Sequence, residues 1–312
     1  MGSLLQHKLP VIDLRKEHLK PGTGSWKDAR NHVVSALQQY GCFVAVYDGV
    51  SQDLHAAVFQ ALEDLFALPT STKMQNKSSK PLYGYVGQIP FLPLYESMGI
   101  DDANTLHGIH TFSDLMWPNG HHAFSETMLS YSRMVAELEQ GVARMVFEEY
   151  GVEKYYESHL KSATYLCRVM KYRAAEEEES NMGFVAHTDK SFMTVIHQNQ
   201  IDGLEIKAKD GQWFSVELAP SSFVVMAGDA TLAWSNGRIH SPQHRVSMNG
   251  KEARYSVAQF TFMEGTVKAP EELVDEEHPL QFKPFDHLEF LDFYSKPENR
   301  RLESALRTYC GI

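Results

Sequence analysis

The chain has 312 residues, 43% hydrophobic and 22% charged, a composition that excludes disordered and fibrous classes and suits one large globular core. Its 40 acidic residues against 29 Lys and Arg give a formal charge of -11 with no gathering of cations, which excludes nucleic acid as a partner. No apolar run approaches the roughly 20 residues that span a bilayer, and the stretch Met1 to Lys8 is too polar for a secretory signal. The expectation is a cytoplasmic monomer with no membrane partner.

In chain order, Leu9 to Leu14 reads as a short strand after a disordered start. Val33, Val34, Leu37 and Tyr40 recur at helical spacing from Ser25, and Gly41 stops that helix. Cys42 to Tyr47 reads as a buried strand, and Asp53 to Phe66 as a second amphipathic helix ended by Pro69. Ser79 to Asn119 has Gly, Pro and aromatics without clear period and reads as a long ordered loop, a candidate lid. A long helix follows over Ser125 to Tyr150, its apolar stripe marked by Met128, Tyr131, Val135, Leu138 and Val142.

Beyond Ser162 short apolar or alternating runs separated by turn signals predict an all-β sandwich or barrel. Strands are expected near 163–172, 184–190, 192–198, 203–207, 212–217, 222–227, 231–235, 243–248 and 254–263, and the tail from His287 to Tyr309 returns to helix. Cys42, Cys167 and Cys310 are too few and too far apart for a disulfide framework or a Cys-rich zinc site, so free thiols are expected.

His187 and Asp189 stand two apart, and on a strand such residues project from one face, so an imidazole and a carboxylate point into the same cavity. A lone pair of this kind is weak evidence. His244 lies in a later strand, and Arg254 follows with Ser256 two residues on. Two His and one carboxylate leave coordination positions open on iron, as an oxygenase needs to bind co-substrate and O2 together. The Arg254 guanidinium can clamp a carboxylate bidentately, and Ser256 can add a hydrogen bond. His240 is the rival of His244, but Pro242 separates it from the apolar run. The other histidines, among them His107, His110, His121, His122, His159 and His197, are expected as surface or satisfied core residues.

With these residues in hand, the sequence resembles the plant 2-oxoglutarate- and iron(II)-dependent dioxygenases over nearly its whole length. The resemblance is nearest to the branch of the alkenyl hydroxalkyl producing enzymes, with steroidal-alkaloid hydroxylases close and auxin oxidases farther off. It is carried by Leu9 to Leu14, Tyr40 to Val50, Gly84-Tyr85, Pro93 to Ser97, Met116-Trp117-Pro118, Met170-Lys171-Tyr172, His187/Asp189/His244, Arg254-x-Ser256 and Glu272 to Pro279. It implies a mainly β fold with flanking helices, a double-stranded β-helix or jelly-roll barrel preceded by an α/β N-terminal region. The segments are then 1–120 (N-terminal helix and strand region), 121–160 (long supporting helix), 161–268 (jelly-roll core) and 269–312 (helical tail), in one unit.

It further implies Fe(II), 2-oxoglutarate and O2, with ascorbate as a reductant, and a small, largely apolar metabolite or hormone as substrate. Tyr172 then donates to the 2-oxoglutarate carboxylate beside Arg254 and Ser256, and Phe260 packs on substrate. Phe192, Tyr95 and Phe91, with Leu94, Phe112 and Phe262, are further pocket candidates. Two departures stand out: Met170 where many relatives have Asn, and Tyr47-Asp48 in place of a common Asn-His pair. A zinc hydrolase shares the His/His/carboxylate set but does not need Arg254-x-Ser256. A non-catalytic binder on the same barrel is a third reading, and an ascorbate-driven oxidase a fourth.

Overall fold

A computed structural model describes residues 7–312; of the polar start, Met1 to Gln6 lies outside the described residues. Strand β1 (Val11–Asp13) leads to helix α1 (Gly24–Gln39), whose first turn is capped by the Thr23 hydroxyl accepting from the Trp26 N–H. Gly41 then turns the chain at φ +74°, and a Cβ there would lie 2.4 Å from the His240 carbonyl oxygen, so both the left-handed turn and the close approach require glycine. Strand β2 (Cys42–Val46), helix α2 (Gln52–Ala67) capped by Ser51, and the short α3 (Thr70–Lys73) follow.

Strand β3 (Tyr95–Asp101) and helix α4 (Leu106–Met116) occupy the stretch expected as a loop. Only β3's tertiary pairing reveals it. Its Ser97, Met98, Gly99 and Ile100 are buried on both faces, so no alternation shows in the sequence. Helix α5 (His122–Glu149) and the short α6 (Tyr156–Ser162) complete the helical half.

The second half runs β4 (Ala163–Tyr172), β5 (Met182–His187), β6 (Met193–Gln198), β7 (Leu204–Lys207), β8 (Trp213–Ser215), β9 (Ser222–Ala227), α7 (Asp229–Trp234), β10 (His244–Ser247) and β11 (Arg254–Met263). The hairpin β12 (Thr266–Val267) with β13 (Phe285–Asp286) and the tail helices α8 (His287–Ser295) and α9 (Ala305–Cys310) close the chain. Residues 231–235 are the end of a helix rather than a strand: Thr231 and Leu232 both donate to the Gly228 carbonyl, a turn that the β-branched and aromatic composition does not announce.

Seven strands form one sheet in the order β1-β2-β9-β6-β11-β4-β3, and four form a second, β5-β10-β7-β8. The N-terminal strands β1 and β2 thus extend the same sheet as the barrel strands. Ile196, Val224, Met226 and Ala258 of the large sheet meet Leu204 and Ile206 of the small one, which makes the space between the sheets an interior. The opposite face of the large sheet, with Val169, Val195, Val225 and Val257, packs on Val135, Leu138 and Val142 of α5. This two-sheet barrel buttressed by helices is the double-stranded β-helix.

Candidate active site

Strands β5 and β10 are antiparallel, and their register puts His187 directly opposite His244 with ring centroids 4.2 Å apart. The expected strand over 184–190 stops at His187, so Asp189 does not reach the site by strand alternation. It arrives on the following loop, pinned where the Asp229 N–H donates to the Asp189 carbonyl at 2.8 Å. Asp189 Oδ1 lies 3.7 Å from Nε2 of each histidine. Among the described residues these three form the one cluster of metal-type donors, all within 4.8 Å. His240 stands apart from it, its backbone N–H donating to Leu37 at the end of α1.

The donors are prepared for a cation. His187 Nδ1 faces the Val185 carbonyl at 2.9 Å and His244 Nδ1 the Pro242 carbonyl at 3.4 Å, which places the ring proton on Nδ1 and leaves each Nε2 lone pair inward. Burial, and then the neighbouring His244, push His187 down to about 3, so the imidazole is the neutral ligand form. Thr194 Oγ1 donates to Asp189 Oδ2 at 2.7 Å and is itself paired with Ser191 Oγ at 2.8 Å. Two imidazole nitrogens and one carboxylate oxygen converging this closely are a donor set that would suit a divalent iron or zinc ion.

Arg254 opens β11 opposite Tyr172 of β4 and is 1% exposed. Its Nε and Nη2 donate to Gln198 Oε1 at 3.2 and 2.8 Å, its Nη1 to Ser256 Oγ at 3.1 Å, and it stacks 5.0 Å above the Tyr172 ring. Among the described residues no carboxylate is within ion-pair distance of it; Gln198 stands between, donating in turn to Asp202 Oδ1 at 2.9 Å. The Tyr172 hydroxyl donates to the Met170 sulfur 3.4 Å away, a weak acceptor, and lies close to Arg254 and Ser256. A buried guanidinium with neutral partners and two adjacent hydroxyls fits a carboxylate ligand.

Two supports were not legible in the sequence. Gln198, on β6 opposite Ser256, orients the Arg254 fork and sits in a run of polar residues with no distinguishing spacing. The buried pair Lys190–Asp229, 2.7 Å apart, is a second. Lys190 Nζ also donates to the Thr188 carbonyl at 2.7 Å and lies 4.4 Å over Tyr294 of α8, while the Lys190 carbonyl meets His287 Nε2 at 2.7 Å. Asp229 takes Ser241 Oγ at 2.8 Å and Thr188 Oγ1 at 3.1 Å. The loop carrying Asp189 is thus held from α7 and from the tail.

The structure divides the pocket candidates. Phe260 is half-buried on the interior face of β11, next to Phe262, in contact with both the barrel and the Tyr83 cluster. Tyr95 packs 4.6 Å from Phe184, which in turn lies 5.0 Å from His187, and with Leu94 it lines a cleft of about 440 Å³. Phe91 is exposed on the preceding loop. Phe192 lies in the core: its ring packs 4.5 Å from His159 and 5.6 Å from Trp234, because its position at the end of the Asp189 loop points it toward the helices. Phe112 likewise stacks on Phe124 between α4 and α5. His159 Nε2 and His197 Nδ1 are buried without partners, so these two are core but not fully satisfied.

The sequence profile of the 2OG-Fe(II) oxygenase superfamily matches residues 160–262, and that of the non-haem dioxygenase in morphine synthesis N-terminal region matches residues 9–90. The probable 2-oxoglutarate-dependent dioxygenase AOP1.2 of Arabidopsis thaliana is 45% identical over 98% of this chain and 96% of its own. The 2-oxoglutarate-dependent dioxygenase AOP3 of the same plant is 33% identical over 100% and 99%. Among solved structures, the dioxygenase for auxin oxidation of rice superposes with a TM-score of 0.82 at 29% identity, covering 98% of this chain and 100% of that one. From this agreement across the full length, the chain belongs to the 2OG-Fe(II) oxygenase superfamily, in the plant branch of the AOP dioxygenases, and iron(II) and 2-oxoglutarate are its cofactors.

Proposed function

We propose that this dioxygenase hydroxylates, desaturates or demethylates a small, largely apolar plant metabolite or hormone of secondary metabolism, with His187, Asp189 and His244 holding iron and Arg254, Ser256 and Tyr172 holding the far carboxylate of 2-oxoglutarate. The observation that carries this reading is the pairing of an inward-facing His/Asp/His cluster with a buried Arg254 that has no carboxylate partner among the described residues. When bound, iron and 2-oxoglutarate supply an O2-driven oxidation, with succinate and CO2 released.

The chain's own residues do the rest. Thr194 holds the Asp189 carboxylate in one orientation, and the Val185 and Pro242 carbonyls fix the two imidazoles. Gln198 keeps one edge of the Arg254 guanidinium occupied and turns Nη1 and the Ser256 hydroxyl toward the interior. Phe260, Phe262 and Leu166 provide the apolar wall that excludes water around a C–H bond. Tyr95 stands behind Phe184 and steadies the ring against which His187 packs. Exposed Phe91 touches substrate only if the 88–95 segment folds inward. We assign the working form to a cytosolic monomer; a sizing column tests the oligomeric state, and imaging of a tagged full chain in plant cells tests the compartment.

The test of the reaction is succinate formation with iron, 2-oxoglutarate and ascorbate across a panel of plant small molecules. Arg254→Lys keeps the charge but loses the planar fork, so the apparent KM for 2-oxoglutarate should rise with little change in that for the organic substrate. Equal increases in both would make Arg254 a structural residue. Zinc-supported hydrolysis without any consumption of 2-oxoglutarate would replace the reading with the hydrolase.

A further inference from the structure

A second guanidinium lies on the same interior face as Arg254. Arg168 of β4 pairs with Ala258 of β11, between the partners of Ser256 and Phe260, so its side chain projects to the side that carries those residues. It is 8% exposed. Its Nη1 donates to Ser97 Oγ at 2.8 Å and to the Gly84 carbonyl at 3.3 Å, and its Nη2 to the carbonyls of Leu82 and Gly84. Among the described residues no carboxylate is within ion-pair distance of it. Neutral acceptors satisfy hydrogen bonds but leave the buried charge uncompensated, which is costly unless an anion joins it.

Three further observations mark the place. The buried Tyr83 hydroxyl has no hydrogen-bond partner within 3.5 Å and lies in the field of Arg168 on one side and of Asp101 and Asp102 on the other, with Thr164 beside it. Leu82, whose carbonyl faces Arg168, holds φ +66°, a left-handed conformation that a bulky side chain adopts only under constraint. Leu166, Phe260, Phe262 and Tyr83 form an apolar cluster next to the guanidinium. Across the sheet, Thr194 of β6, which holds Asp189, pairs with Phe260 of β11, whose partner on β4 is Leu166; it thus lies two strands across and two residues along from Arg168, roughly 12 Å between their backbones. That is the span of a small molecule.

We propose that Arg168, assisted by the Tyr83 and Ser97 hydroxyls, is the anchor for an anionic group, a carboxylate, on an otherwise apolar substrate. Arg168 sets specificity and is not a catalytic residue. The inference rests on the proposed oxygenase reading, and it narrows the substrate class from apolar molecules to amphiphilic acids.

The test uses the full chain loaded with Zn(II) and 2-oxoglutarate, titrated calorimetrically with indole-3-acetate, phenylacetate, cinnamate and salicylate and with their primary amides. At least one acid should bind about tenfold or more tighter than its amide. Arg168→Gln should erase that preference, and Arg168→Lys should retain part of it; the melting midpoint of each variant shows whether it folds. A panel in which no acid outbinds its amide overturns the proposal, and so does a folded Arg168→Gln that keeps the preference. If Gln does not fold, Tyr83→Phe decides: an unchanged acid preference counts against the anchor, a weakened one supports it. Succinate release by the unaltered iron-loaded protein is read separately. Its absence defeats the oxygenase reading, whereas its presence without acid preference defeats only this inference.

Discussion

The two faces of the β4–β11 pair bury charge in opposite ways. On the interior face, Arg254 and Arg168 are cations with neutral partners and no carboxylate among the described residues. On the helix face of the same strands, Tyr165 donates to Glu139 Oε2 of α5 at 3.0 Å, the Thr261 hydroxyl lies close to the same carboxyl, and no cation acts on it. A cation on the barrel's interior face can recruit an anionic ligand, but a carboxyl sealed under a helix can only take a proton. Burial accordingly pushes Glu139 up to about 7. Lys190–Asp229 is the third case, a buried pair whose two charges are both built into the chain.

The sharpest break of this contrast is at the three proposed metal donors. His187→Ala, Asp189→Ala and His244→Ala should each abolish turnover and lower bound iron by more than about a hundredfold, measured by metal analysis after desalting, because removing a ligand exceeds the loss seen for outer-shell partners. His240→Ala should keep both. A His240 variant that loses iron while the His244 variant retains it would exchange their roles.

Next in size is Lys190→Met, which strands Asp229 in the protein interior. It should cost about 3–5 kcal/mol of stability by denaturant titration. A loss below about 1 kcal/mol would show that water reaches the pair and that it does not hold the metal loop.

Glu139→Gln reads the helix face through pH. A carboxyl whose folded value is raised costs nothing below its ordinary range near 4.5, costs more as pH rises toward 7, and costs a constant amount above. Stability of the parent therefore declines over that window, and the Gln variant should gain about 3 kcal/mol relative to it at pH 8 but little at pH 4.5. A gain that is the same at both values would place the effect in packing rather than in charge. The smallest effect is Tyr172→Phe, which should weaken 2-oxoglutarate by roughly one hydrogen bond, 0.5–1.5 kcal/mol, leaving the organic substrate's constants unchanged. A shift in the substrate constants alone would move Tyr172 to the other ligand.

Much of this was determined by the sequence alone, because the chemistry depends on residue type at short spacing. His187-x-Asp189 and Arg254-x-Ser256 are local patterns, and the strands 163–172, 222–227 and 254–263 have the bounds their strong β runs indicate. Tertiary structure decided what depends on partners. It set His187 opposite His244 across a strand pair, brought Asp189 in on a loop that no strand alternation places, and turned 231–235 into helix. It also drew β3 out of an apparently irregular stretch and sent Phe192 to the helices. The same holds for Gln198 under Arg254 and for Arg168, set on the interior face among neutral acceptors. Register and burial arise from contacts between residues dozens of positions apart, and no local period encodes them.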